Sequence, residues 1–198
     1  MRQSLASRAS LFVTHLARDV RGVAAVEFAY LVPVILFMLI GTVEVSRAVS
    51  IDRRLGQATA MIADLVGRES TMKAADVNAL YGIVGQVMSP FDASSLKVSI
   101  VPVKASPNSA TNTRVYAATT NRPSLNGGES YGKCVAYPLT AGIVAAGGSV
   151  IVVEASYSYV PLFAGSIIGP ATWTEKAIAS PRNSCVDFDR DNCVSTCF

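Results

Sequence analysis

The sequence predicts an α+β protein: a long N-terminal transmembrane helix that continues as an amphipathic stalk and packs on a small, mostly antiparallel sheet domain. Three observations predict it. Between Phe28 and Val43 sixteen consecutive residues carry no charge, and a helix from Val23 to Val45 would run roughly 34 Å, enough to cross a hydrocarbon layer roughly 30 Å thick. Past it, Ile51, Leu55, Ala58, Ile62 and Leu65 step by four and three, which is one stripe of a continuing helix. Finally, Leu96, Val98 and Ile100 alternate with Lys97 and Ser99, and SVIVVEASYSYV, Ser149 to Val160, is β-branched and then alternating, as strands are.

The elements follow in order. A basic leader occupies 1–22, the transmembrane helix 23–45, an α+β domain 46–180 and a Cys/Asp-rich tail 181–198. The first helix is expected from Val23 to Gly67, kinked at Pro33 and softened at Gly41 and Gly56. A second helix, Met72 to Met88, places Val77, Leu80, Val84 and Val87 on one face and stops at Ser89-Pro90, because a residue before proline avoids the helical region. Pro102 demotes the far end of the first strand to an edge or a stop. A strand is expected at Thr113 to Thr119, then a loop to Gly132 with a turn at Gly127-Gly128. A short helix is expected at Pro138 to Ala146, closed by Gly147-Gly148, and a last strand near Ala171 to Ser180 with the single tryptophan, Trp173. The roughly 150 residues after the span suffice for one core.

The net charge of +3 resides in the leader, where Arg2, Arg8, Arg18 and Arg21 face only Asp19, while the rest of the chain is balanced. A basic segment before an apolar one points to a cytoplasmic N-terminus. No later stretch concentrates Lys and Arg with aromatics, so no nucleic-acid partner is expected. Cys134, Cys185, Cys193 and Cys197 all follow the span; if exported they pair oxidatively, in one of three connectivities, with at least one bridge tying the tail to the domain through Cys134. Their spacing lacks a zinc pattern. The single histidine, His15, lies in the leader, which leaves the domain no imidazole for a Ser-His-Asp or Cys-His nucleophile. No phosphate-binding glycine motif occurs, nothing in the sequence places Glu129, Glu154 and Glu175 together, and neither an enzyme nor a cofactor is expected. Asp187, Asp189 and Asp191 match positions 1, 3 and 5 of a calcium loop, but Asn192 replaces its turn glycine and Phe198 its bidentate glutamate, so no metal is favoured over solvated acids.

Glu27, just inside the apolar stretch, needs its own account. One account is a carboxylate favoured by the helix N-terminus and snorkelling to the interface. The surroundings offer another. The leader ends in Gly22, four residues VAAV follow, and then come Glu27 and Phe28; Val32-Pro33 lies within the span, Glu44 and Arg47 near its exit, and VIVVEASYSYVPLF, Val150 to Phe163, farther on. In these features the chain resembles type IV pilin-like precursors, and in particular the TadE-like minor pseudopilins of the tight-adherence (Tad) pilus system. The resemblance covers residues 21 to about 68 and 149 to 163.

It implies a pilin-like fold and an aspartyl prepilin peptidase that cuts between Gly22 and Val23. It also implies that Glu27, fifth in the mature chain and followed by Phe28, pairs with the new Val23 ammonium of a neighbouring subunit during assembly. The implied protein is non-catalytic, single-pass in the bacterial inner membrane with its domain in the periplasm, and acts in pilus biogenesis and surface adherence. Its implied partners are other pilin and pseudopilin subunits, the pilus secretion platform, the peptidase and membrane lipid. Two other readings compete: an uncut single-pass envelope protein with a periplasmic interaction or adhesion domain, and a protein released by signal peptidase at Ala48-x-Ser50. The charged Glu44 and Arg47 before that last site argue against release.

Overall fold

The computed structural model describes residues 21–120, 123–162, 165, 169–188, 193 and 197–198. Helix α1 runs from Arg21 to Arg68, continuous through Pro33. It is followed by the two-residue strand β1 (Thr71–Met72), helix α2 (Ala74–Met88), and strands β2 (Leu96–Ser106), β3 (Ser109–Val115), β4 (Ser149–Tyr159), β5 (Ala171–Ala179) and β6 (Asp187–Phe188). The fold is α+β. The chain divides between Val45 and Ser46 into two units.

In the first unit α1 is apolar all round and exposed, with Val23, Phe28, Tyr30, Phe37 and Met38 all more than half accessible. In the second unit the same helix is amphipathic, and Ile51, Leu55, Ala58, Ile62, Ala63 and Val66 are buried. The stripe expected to end at Leu65 ends instead at Val66. A strict seven-residue repeat drifts about 20° per heptad on a 3.6-residue helix, so the buried line moves from Leu65 to Val66 over two turns.

Helix α2 starts two residues later than the sequence predicts, because Thr71 and Met72 pair in parallel with Asp187 and Phe188 of β6. Its N-terminus is closed by Asp76, whose Oδ2 accepts the Lys73 N–H at 2.9 Å. At its other end the Arg54 guanidinium donates to the carbonyls of Val87 (2.9 Å) and Ser89 (2.6 Å), partners that the last helical carbonyls lack. Val77, Tyr81, Val84 and Met88 are buried against the sheet side of the core, while Leu80 and Val87 lie at its margin.

Strands β2 to β5 form an antiparallel sheet in the order β3-β2-β4-β5, with Leu96 opposite Tyr157 and Tyr157 opposite Trp173. Proline at 102 was expected to end β2, yet β2 is central and continues to Ser106. The reason is local. The Pro102 carbonyl accepts the Tyr116 N–H at 3.0 Å, so the side of Pro102 that lacks a donor faces the place where β3 has already stopped pairing at Val115. The strand expected at Thr113 to Thr119 is Ser109–Val115, and Pro138 to Ala146 forms turns where a short helix was expected. Pro138 and Gly142, the latter at φ +92°, interrupt that segment, and Tyr137, Leu139 and Val144 reach down individually onto the outer sheet residues Val101, Val103, Val150 and Val152.

The tail expected after 180 contributes to the main core: Val186 and Phe188 are buried, and the Tyr116 hydroxyl donates to the Val186 carbonyl at 2.8 Å. Two disulfides hold this part of the chain, Cys134–Cys197 and Cys185–Cys193.

Candidate functional site

Two places in the chain put charged side chains where apolar ones are the norm. The first is the start of α1. Gly22, Val23, Glu27 and Phe28 all lie on the helix and all are exposed. Val23 and Glu27 are four residues apart and therefore share a face. A Cβ built on Gly22 meets nothing within 4 Å, so this chain's own packing places no demand for glycine there. α1 is also long and apolar enough to cross a membrane, with a mean hydropathy of 2.4 over its most apolar eighteen residues and none of that window buried.

The second place is an open groove of about 570 Å³ on the outer face of the sheet, lined by Lys97, Ser99, Glu129, Glu154, Glu175 and Lys176 among others. The pairing that builds the sheet brings them there: Ser99 stands opposite Glu154, and Glu154 opposite Lys176, so their side chains share one face. The loop that carries Glu129 is held down by its own backbone. Leu125 exchanges hydrogen bonds with Val98, and a Cβ on Gly128 would come within 2.5 Å of both the Val98 carbonyl oxygen and Ser99 Oγ, an approach that only glycine permits. The three glutamates that the sequence leaves apart are thus gathered by a strand register and one close approach.

Glu154 is fully engaged. Its Oε2 accepts from the Tyr131 hydroxyl at 2.7 Å, and its Oε1 from Tyr137 at 2.5 Å and from Lys176 Nζ at 3.0 Å. The Tyr131 and Tyr137 rings meet edge to face at 5.5 Å, and the Lys176 ammonium sits 4.7 Å from the Tyr137 ring centre. Burial pushes the Glu154 carboxyl up, but hydrogen bonds from Tyr137, Tyr131 and Lys176 outweigh it and hold it below its ordinary value of 4.5. Burial, then the Glu154 hydrogen bond and charge, push both phenols well above their ordinary value of 10. A carboxylate this well satisfied is a poor base, and the cluster fastens the 131–137 loop to the sheet.

The signs give a testable pH dependence. Glu154, depressed in the fold, contributes its full stability above 4.5 and loses it as pH falls through the lower folded value. The raised phenols contribute fully below 10 and lose their contribution above it, where the unfolded chain ionises first. The stability gap between the parent and Glu154→Gln, read from urea midpoints in detergent, is therefore expected to shrink from about pH 7 to about pH 3. A gap constant over that range contradicts the depressed carboxyl.

Among the described residues no group of three metal-ligating side chains forms. Of the calcium candidates, Asp187 lies on β6, where its N–H donates to the Ser70 carbonyl at 2.9 Å, and Asp189 and Asp191 lie outside the described residues. Of the leader expected at 1–22, residues 1–20 lie outside them too. No curated protein and no solved structure gives a significant match to the chain. Residues 22–64, all within α1, match the family described as TadE-like protein.

Proposed function

We propose that this chain is a non-catalytic minor pseudopilin of a Tad-type pilus system, cut between Gly22 and Val23 and assembled through Glu27. The observation that carries the reading is a junction. A TadE-like segment begins at Gly22, and the fold itself makes no use of that glycine. Gly41, Gly56 and Gly82 are as open as Gly22, so what sets Gly22 apart is its place at the start of the TadE-like match, and in this reading the demand on it comes from a narrow peptidase cleft at the scissile bond. In this reading 1–22 is a cytoplasmic leader, 23–45 spans the inner membrane, and the domain from Ser46 onward, with its two disulfides, lies in the oxidising periplasm. Phe28 continues the apolar surface past the carboxylate. The partners are other pilin and pseudopilin subunits, the secretion platform and the prepilin peptidase. The saturated Glu154 and the absence of histidine beyond residue 15 support a role without catalysis.

Gly22→Leu tests the reading. Open space at residue 22 means that the fold accepts the larger side chain, so the variant should accumulate, membrane-inserted, as a longer precursor that supports no pili. A variant that is shortened and piliates like the parent would overturn the processing role.

A further inference from the structure

Assembly through the N-terminal helix leaves the groove on the outer face of the sheet without a task, and the fold uses its side chains unevenly. The strand register sets them in rows. Ser99, Glu154 and Lys176 stand side by side across β2, β4 and β5; Lys97, Ser156 and Thr174 form the adjacent row, with Thr172 beyond Thr174 on the same face. The first row is occupied. Ser99 Oγ donates to the Glu129 carbonyl at 2.6 Å, and Glu154 accepts from Tyr131, Tyr137 and Lys176, so this row holds down the loop that walls the groove. The second row is open. Lys97, Thr172 and Thr174 are exposed and Ser156 is half-buried, and among the described residues none of these side chains has a hydrogen-bonding or ionic partner.

The chemistry of that floor narrows what it can hold. Backbone groups of β2, β4 and β5 bond sideways along the sheet, so a ligand lying on the face is recognised through side chains alone. Ser156, Thr172 and Thr174 carry hydroxyls, each able to donate and to accept, which suits a ligand that does both. Charge narrows the choice further: Glu129 and Glu175 line the same groove and repel a polyanion, while Lys97 repels a polycation. An apolar ligand would leave the hydroxyls buried and unpaired. A neutral molecule dense in hydroxyl groups meets all of these conditions. The wall fits it too, because Tyr131 is half exposed with its hydroxyl fixed on Glu154 at 2.7 Å, which holds the ring ready to meet the C–H face of a sugar. The volume of about 570 Å³ lies within the roughly 300–1,000 Å³ usual for small-ligand clefts.

We propose that this groove binds a neutral oligosaccharide, with Lys97, Ser156, Thr172 and Thr174 as its floor and Glu129 and Tyr131 as its wall. The Glu129 carboxylate and the Lys97 ammonium would hold sugar hydroxyls from opposite sides, one accepting and the other donating. Such binding depends on neither leader processing nor the membrane span.

The full chain, in a detergent without a sugar headgroup, is titrated by calorimetry with maltohexaose, cellohexaose and chitohexaose as neutral probes and with hexagalacturonate and hexaglucosamine as acidic and basic ones. At least one neutral probe should bind more tightly than either charged one. Thr174→Lys, which raises a long charged side chain from the floor, should weaken that probe by roughly tenfold or more, and Glu129→Gln, which keeps the shape of the wall, by roughly tenfold. Thr111→Lys, exposed on β3 with two strands between it and β5, should leave the affinity unchanged. Should Thr174→Lys disturb the sheet, the Glu129→Gln titration decides. No binding by any neutral probe, tighter binding by a charged one, or a loss in Glu129→Gln no greater than in Thr111→Lys overturns the proposal.

Discussion

Replacing Cys134 and Cys197 together by serine is expected to lower the unfolding free energy of the domain by about 4 kcal/mol, against about 2.5 kcal/mol for the Cys185 and Cys193 pair. The difference follows from loop length. The first bridge joins residues 63 apart in the chain and the second residues only 8 apart, so the first removes far more freedom from the unfolded state. In the fold, Cys134 is already tied to β3: its N–H donates to the Val115 carbonyl at 2.8 Å, and its carbonyl accepts from Arg114 at 3.0 Å. Losing the bridge frees the chain end next to Val186 and Phe188, so their place in the core is what weakens. Urea unfolding followed by Trp173 fluorescence in detergent measures both pairs. Equal losses for the two, or none for the longer loop, would contradict this pairing.

Glu27→Gln is expected to separate insertion from assembly. The amide keeps the shape of the carboxylate and makes the span more apolar, so the protein should still insert. Assembly differs. On the proposed reading, cleavage would leave a Val23 ammonium one helical turn from Glu27, both on an exposed face of α1, and the apolar side chains around them could neutralise neither. A neighbour's carboxylate would supply the missing charge, and breaking such a buried pair on one side costs on the order of 3 to 5 kcal/mol. The variant should be stable and membrane-bound, yet fail to crosslink to other subunits and fail to support piliation. Normal pili in a Glu27→Gln strain would reduce the carboxylate to an ordinary helix-end charge.

How far the molecule could be read from its sequence differs by element, and the reasons are physical. The apolar run from Phe28 and the stripe from Ile51 are periodic over many turns, and β4 is β-branched and alternating throughout, so each announces itself. Pro102 misled because the rule against proline in a central strand concerns one missing donor, and here that donor is missing only on the β3 side, opposite Tyr116 just past the end of β3, while the β4 side loses nothing. The segment 138–146 has the apolar content of a helix, but its side chains serve the outer face of a sheet whose position is invisible locally. The groove was hidden for the same reason. Glu154 and Lys176 meet through the β4–β5 register, and Glu129 arrives through the close approach at Gly128. Gly22, Val23, Glu27 and Phe28, by contrast, stand within seven residues of one another, so a local motif could expose them. The helix that carries them is the part that matches the TadE-like family.

The central claim, that this chain is a processed pseudopilin, is tested most directly by the N-terminus of the protein purified from membranes, determined by mass spectrometry of the intact chain and its first peptide. The account predicts a chain that begins at Val23, lacking the 22 residues before it. A chain that begins at Met1, or one that begins just past Ser50, would contradict it.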